Sequence, residues 1–127
     1  MPHKTTWEDK GINLQFYGDI TTDEVEQSTA EAYGDHRFDD IKYFIWDMTD
    51  AESLITDEAH VESTAAESWA ASTYKTSLKG AIVSNDNDIC KFIEHYIATS
   101  SKMENPWELK LFSNTKDATK WVLSALV

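Results

Sequence analysis

Hydrophobic positions along the chain follow two rhythms, and the switches between them mark out its elements. The densest apolar stretch lies at residues 42–48, Lys-Tyr-Phe-Ile-Trp-Asp-Met. A continuous apolar strand of this kind needs cover on both faces, as in parallel sheets flanked by helices. Upstream, Thr5, Thr6 and Trp7 favour strand, and Asp9, Lys10 and Gly11 mark a turn. Ile12, Leu14 and Phe16 then alternate with polar residues. Residues 4–17 therefore predict a hairpin, ended by Gly18 and Asp19. A first helix starts near Thr21, which fits a capping box with Glu24. It carries Val25, Ser28, Thr29, Ala32 and Tyr33 at helical spacing and stops at Gly34, a residue that tolerates positive φ. Residues 35–40 form a polar connection anchored by Phe38.

The central strand is predicted over 41–48 and a loop over 49–56, carrying Asp50, Glu52 and Ser53. A second helix runs roughly over 57–74, capped by Thr56 or Asp57. Its inner face is small, with Val61, Ala65, Ser68 and Ser72 flanked by Ala66 and Trp69. Residues 79–84 form the next buried strand, and 85–88 turn the chain and cap a third helix. That helix shows the clearest period: Ile89, Phe92, Ile93, Tyr96, Ile97. Residues 100–106 are a loop, because Pro106 blocks helix continuation. Trp107, Leu109 and Leu111 share one face of a strand over 107–112, whose charged alternates suit a sheet edge. Asn114 caps a last helix with Ala118, Trp121, Val122, Ala125 and Leu126 on its apolar face. The order β-β-α-β-α-β-α-β-α implies a single α/β domain over 1–127. Its sheet is mixed but mostly parallel, with about five strands and about four helices.

Composition narrows the partners. Asp and Glu number 23 against 11 Lys and Arg, a net charge of −12 over 127 residues. Phosphate backbones and anionic membrane surfaces require basic stripes, and the chain has none, so nucleic acid is excluded as a partner. A basic protein partner suits the charge. The lone Cys90 permits no internal disulfide and accords with a reducing cytoplasm. The first residues have no apolar core of a signal peptide, and no apolar run approaches the ~20 residues of a membrane span. The expected protein is cytoplasmic and not integral to a membrane.

Candidate chemistry is sparse. Asp47 ends the central strand, where α/β folds place working groups, and Asp50, Glu52 and Asp57 lie near it. These acids lack the glycine-punctuated spacing of a calcium loop, and no metal is expected. His3, His36, His60 and His95 are scattered without zinc-site spacing. Cys90 follows Ile89 on an apolar helix and suits a structural thiol. Glycines at 11, 18, 34 and 80 form no phosphate-binding loop, and no nucleophile elbow occurs. No cofactor is called for. Five tryptophans, Trp7, Trp46, Trp69, Trp107 and Trp121, could line a pocket for a small apolar ligand between the second helix, the third helix and the sheet.

Three segments, FDDIKYFIWDMTDAESL, LKGAIVSNDNDI and PWELKLFSNTKDATKWVL, give the chain a resemblance to the STAS or SpoIIAA-like group, the fold of bacterial anti-anti-sigma factors. The resemblance implies a regulatory or ligand-binding module. In those factors a kinase phosphorylates a serine at the start of the helix after the central strand, and the added charge expels a partner. Counted from Asp47 that position falls at Thr56, followed by Asp57; the family's serine pair and glycine are missing from LITDE. Thr56 and Ser53 are the phosphate acceptors this implies. Related SpoIIAA-like proteins without the phosphosite resemble lipid-binding CRAL-TRIO domains in fold.

The expectation is thus a non-catalytic module that binds a protein partner. Its surface is Asp47, Thr49, Asp50, Glu52, Ser53, Thr56 and Asp57. The alternative is a carrier or sensor of a small apolar ligand or lipid, and the third is an enzyme at the strand ends. A homodimer through an exposed strand or helix face is also compatible.

Overall fold

The computed structural model describes residues 3–126. Strand β1 (His3–Trp7) turns into β2 (Gly11–Thr21), and helix α1 (Thr22–Tyr33) follows. A 3-10 turn at His36–Asp40 leads to β3 (Tyr43–Ile55) and α2 (Glu58–Ser72). Then come β4 (Lys79–Val83), α3 (Asn87–Lys102), β5 (Glu108–Phe112) and α4 (Thr115–Leu123), with a final 3-10 turn at Ser124–Leu126. The strands lie side by side in chain order. β1 pairs antiparallel with β2, and β2 through β5 are parallel.

That strand order decides where the helices go. Each crossover steps to the next strand in the same direction, and right-handed crossovers all rise on one side. α1, α2 and α3 therefore share one face, where Val25, Ala32, Ala65, Ile89 and Ile93 pack with Phe44, Trp46 and Met48. α4 alone covers the other face, where Ala118 and Val122 meet Tyr43, Ile45, Ala81 and Val83. β3 is the middle strand and is buried from both sides from Tyr43 to Met48. The expectation of a helix-covered central strand holds.

The helix starts follow their caps. Thr21 and Glu24 form the reciprocal capping box, with Glu24 donating its amide to Thr21 Oγ1 at 3.2 Å and Thr21 donating its own to Glu24 Oε2 at 3.3 Å. Asp86 caps α3 and Asn114 caps α4. Phe38 is fully buried and anchors its connection. Cys90 is half-buried, its thiol donating to Ser84 O. Gly80 lies beneath Trp46: a Cβ there would come within 2.6 Å of Leu109 and 3.0 Å of the indole.

Several expectations fail. Gly18 and Asp19 do not end β2. Gly18 takes φ +66 where the β2–β3 register shifts, with β3 carrying one extra residue, Glu52, between the pairs Gly18–Ala51 and Asp19–Ser53, and β2 continues to Thr21. Of the loop expected over 49–56 only residue 56 lies outside a strand: β3 continues through Ile55, pairing Asp50, Ala51, Ser53, Leu54 and Ile55 with Tyr17, Gly18, Asp19, Ile20 and Thr21. Gly34 caps α1 at φ −84, so its freedom at positive φ is unused. Trp69 stands 44% exposed and Ala66 is exposed, both off the inner face of α2. Leu126 is also exposed.

Candidate functional site

β4 stops at Val83, opposite Asp47 of β3. From Met48 onward, β3 keeps β2 on one side and has no strand on the other among the described residues. Among the described residues β1 pairs with β2 only as far as Phe16, opposite His3. Among these residues the far ends of β2 and β3 therefore leave the sheet as a two-stranded parallel ribbon. Its outer edge, on β3, has no strand partner among the described residues, the feature on which an added strand can form.

The ribbon's side chains are acidic and partly tied down. Asp50 is exposed and accepts from Gln15 Nε2 at 2.9 Å. Glu52 is exposed. Ser53 donates to Asp19 Oδ1 at 2.7 Å across the ribbon. Ile55, at the tip, is 64% exposed. Thr56 is exposed and donates to Asp57 O at 3.3 Å. Asp57, not Thr56, caps α2, accepting the His60 amide at 3.1 Å.

Asp47 does not join this surface. It is only 6% exposed and accepts from the Thr49 amide at 3.0 Å and from Thr49 Oγ1 at 2.7 Å. Alternation places it on the α4 face with Tyr43 and Ile45. Of the seven predicted residues, Asp50, Glu52, Ser53, Thr56 and Asp57 line the ribbon and the start of α2. Asp47 is turned in, with Thr49 bound to it.

His60 sits beside this surface and was not singled out from the sequence. Its Nδ1 lies 2.8 Å from Asp57 Oδ1 and its Nε2 3.4 Å from Asp23 Oδ1, in the first turn of α1. The hydrogen bond to Asp57 raises the imidazole pKa, and the two nearby carboxylates add to it. The same bond holds the Asp57 carboxyl below its ordinary range.

A second feature lies under the three helices. Tyr33, Trp46, Phe92 and Tyr96 wall a small cavity between α1, α2, α3 and the sheet. Of the five tryptophans only Trp46 lines it; its Nε1 donates to Thr29 Oγ1 at 3.1 Å. The free space is about 40 Å³. Pockets that engulf a drug-sized molecule run to about 300–1,000 Å³, so an acyl chain would have to part the helices.

The cavity also holds acids. Glu26 of α1 accepts from Thr64 Oγ1 at 2.8 Å, and Glu67 of α2 lines the same space. Burial, then the Glu26 charge, pushes the Glu67 pKa up to about 7. Ser68 and Tyr96 share a hydrogen bond of 2.7 Å. Burial raises the Tyr33 and Tyr96 pKa values, so both phenols stay neutral. Glu67 escaped notice because the stripe Val61, Ala65, Ser68, Ser72 has two equivalent flanks. Trp69 marks the wrong one, while the other brings Thr64 and Glu67 inward.

Among the described residues no three His, Cys, Asp or Glu side chains converge as metal ligands. No described helix is long and apolar enough to cross a membrane.

A five-stranded mixed sheet with three helices on one face and one on the other defines a SpoIIAA-like fold. Three solved chains match it. One is an uncharacterized protein of the DUF3478 family, described as having a SpoIIAA-like fold, from Shewanella loihica PV-4. It is 17% identical, with 94% of this chain and 91% of that chain covered at a TM-score of 0.52. At that identity the likeness speaks for the fold. No protein-family model and no curated protein matches the chain.

Proposed function

We propose that the protein is a non-catalytic binding module whose partner docks along the ribbon formed by the far ends of β2 and β3. The observation that carries this is the unpartnered edge of β3 beyond Asp47, set among Asp50, Glu52, Asp19 and Asp57, with Ile55 exposed at its tip. A free edge recruits an extended segment by main-chain hydrogen bonds, and flanking side chains select it. Carboxylates at this edge select lysine and arginine, and Ile55 favours an apolar residue between them. Self-pairing of two copies through this edge would juxtapose like charges, so the partner is a different, basic chain.

The test is a display library of short peptides panned on the protein. Wild type retains peptides with alternating basic and apolar positions. The double variant Asp50→Lys, Glu52→Lys loses them and unfolds at an unchanged denaturant midpoint. A control reversing Asp88 and Glu94 on α3 retains them. Asp57 is left intact because it caps α2. Equal retention by wild type and the ribbon variant removes the proposal.

A modification at this surface would fall on Thr56. It is exposed one residue before the Asp57 cap, whereas Ser53 is already bonded to Asp19. A phosphate there adds negative charge to an acidic surface and strengthens the hold on a basic segment, the reverse of a switch that expels its partner. Mass spectrometry of protein from its native host decides between Thr56, Ser53 and no modification.

A further inference from the structure

We infer that the open edge of β5 is a self-pairing surface, on which two copies of the chain join antiparallel about Leu109 into one continuous sheet. β5 closes the sheet on the side opposite β1, and among the described residues no strand lies beyond it. The Glu108 amide donates to Leu78 O and the Phe112 carbonyl accepts from the Ser84 amide, so both point inward along β4. Peptide groups alternate along a strand, so those of Leu109 and Leu111 point to the open side.

The charges along this edge select a second copy and fix its register. A lone lysine on an edge strand faces its own image and keeps copies apart. Here Lys110 has Glu108 two positions away, both exposed and on one face of the strand. A two-fold pairing centred on Glu108 or on Lys110 sets like charges opposite each other. One centred on Leu111 leaves both without a charged partner. Centred on Leu109, each Glu108 faces Lys110 of the other copy. The same register lets Leu109 exchange amide–carbonyl bonds with Leu109 of the second copy. Two acidic copies can approach on this side, because the chain after Pro106 holds Lys110, Lys116 and Lys120 against only Glu108 and Asp117.

The apolar surface points the same way. An open pocket of about 310 Å³ lies beside the edge, between β5 and the last turns of α3, with Ile97, Trp107 and Leu109 in its wall. Leu109 and Leu111 pack on this face of the sheet and are only half-buried. In the register centred on Leu109, Leu111 of the second copy lies across from Trp107 and enters the pocket, and the two-fold repeats the contact. The ribbon edge of β3 has no such match, since its charged residues, Asp50 and Glu52, are both acids. Pairing through β5 therefore leaves the ribbons of both copies open to the basic partner.

The experiment is sedimentation equilibrium of the full chain at loading concentrations from about 10 μM to about 1 mM, where weak associations show. The average mass is expected to climb from one chain to two and no further, because a two-fold pairing uses up the edge. Glu108→Lys and Lys110→Glu are each expected to weaken the dimer by about tenfold, as two attractive cross-strand pairs turn repulsive. The double exchange Glu108→Lys, Lys110→Glu is expected to restore it. The single variants move the net charge in opposite directions, so a loss in both cannot come from long-range repulsion. In hydrogen exchange, the Leu109 and Leu111 amides are expected to gain protection as the concentration rises. A wild-type chain that stays monomeric throughout overturns the inference, as does a tighter dimer in Glu108→Lys, a double exchange that restores nothing, or a dimer in which the Leu109 amide stays unprotected. None of the ribbon residues is touched, so the result is separate from that of the docking test.

Discussion

The two halves of β3 obey different rules although they are one continuous strand. From Tyr43 to Met48 every residue is buried under helices on both faces, and from Tyr43 to Asp47 the strand has neighbours on both edges. Phe44 stacks on Trp46 with ring centroids 3.8 Å apart. From Thr49 to Ile55 the strand has one neighbour, no strand on the other edge among the described residues, and only Ala51 buried. The first half is held by what it packs against. The second is held by β2 and by side-chain bonds such as Ser53 to Asp19 and Asp50 to Gln15. A segment of the second kind opens at low cost and can exchange partners, as a binding edge requires.

The largest expected difference tests that contrast directly. Phe44→Ala should destabilise the protein by about 3–5 kcal/mol, from lost transfer energy and a residual cavity. Ile55→Ser, in the same strand, should change stability by less than about 0.5 kcal/mol. Urea denaturation of both variants measures the gap. In hydrogen exchange, amides of Phe44 through Trp46 should open only with global unfolding, and those of Ser53 through Ile55 by local opening. Similar values for the two variants, or uniform protection along β3, would break the comparison.

The same division explains what was legible in the sequence. The buried half announces itself as an uninterrupted apolar run, because both faces must be dry. Helix starts were legible at Thr21, Asp86 and Asn114, because a cap is a local device that needs no tertiary context. The ribbon was read as a loop because its polar residues face water on a strand that sheet packing does not cover. There period two is lost: Ala51 and Leu54 stand three positions apart, because β3 carries an extra residue at Glu52. Gly18 compounded this, since a glycine that ends a strand and one that sits at positive φ inside a continuing strand look alike in sequence. The acid in the cavity was hidden for another reason: which flank of α2 turns inward depends on where α1 and α3 lie. Asp47 was expected to end the central strand; β3 instead runs on to Ile55, and the bond of Asp47 to Thr49 decides that it serves the backbone rather than the surface.

Glu67 is a half-buried acid over the dry half, and it gives the next largest effect. Its folded pKa of about 7 stands above the ordinary 4.5. A raised value means the fold prefers the protonated acid. The associated stability is fully present below the unfolded value and is lost as pH rises through about 7. The full shift corresponds to about 3 kcal/mol, and solvent screening of a group nearly half exposed reduces this to about 1–2 kcal/mol. Glu67→Gln should therefore stabilise the protein by that amount at about pH 8 and have little effect at about pH 4. Unfolding midpoints across that range should converge on the acid side. Parallel curves for wild type and variant would mean that Glu67 is as well solvated as a ribbon carboxylate, and the contrast between dry and wet regions would blur at α2.

The smallest effect belongs to His60, where the ribbon meets the helices. Both ring nitrogens face carboxylates, Asp57 of the α2 cap and Asp23 of α1, so the charged imidazolium joins the two helix starts that flank the ribbon. The sign follows from the raised histidine pKa. The bridge contributes fully below the unfolded value and fades as pH rises through the folded one. His60→Ala should lower the thermal midpoint slightly in mild acid and leave it unchanged in mild base. His60→Gln, which can still bond to Asp57 but carries no charge, should flatten the pH profile just as the alanine variant does. Because the ring is solvent-accessible, added salt should shrink the wild-type advantage, whereas the Glu67 effect, set mainly by burial, should persist. A His60 effect that is large, salt-insensitive or greatest in base would place the ribbon's root inside the dry core, and the two halves of β3 would then differ in composition without differing in mechanics.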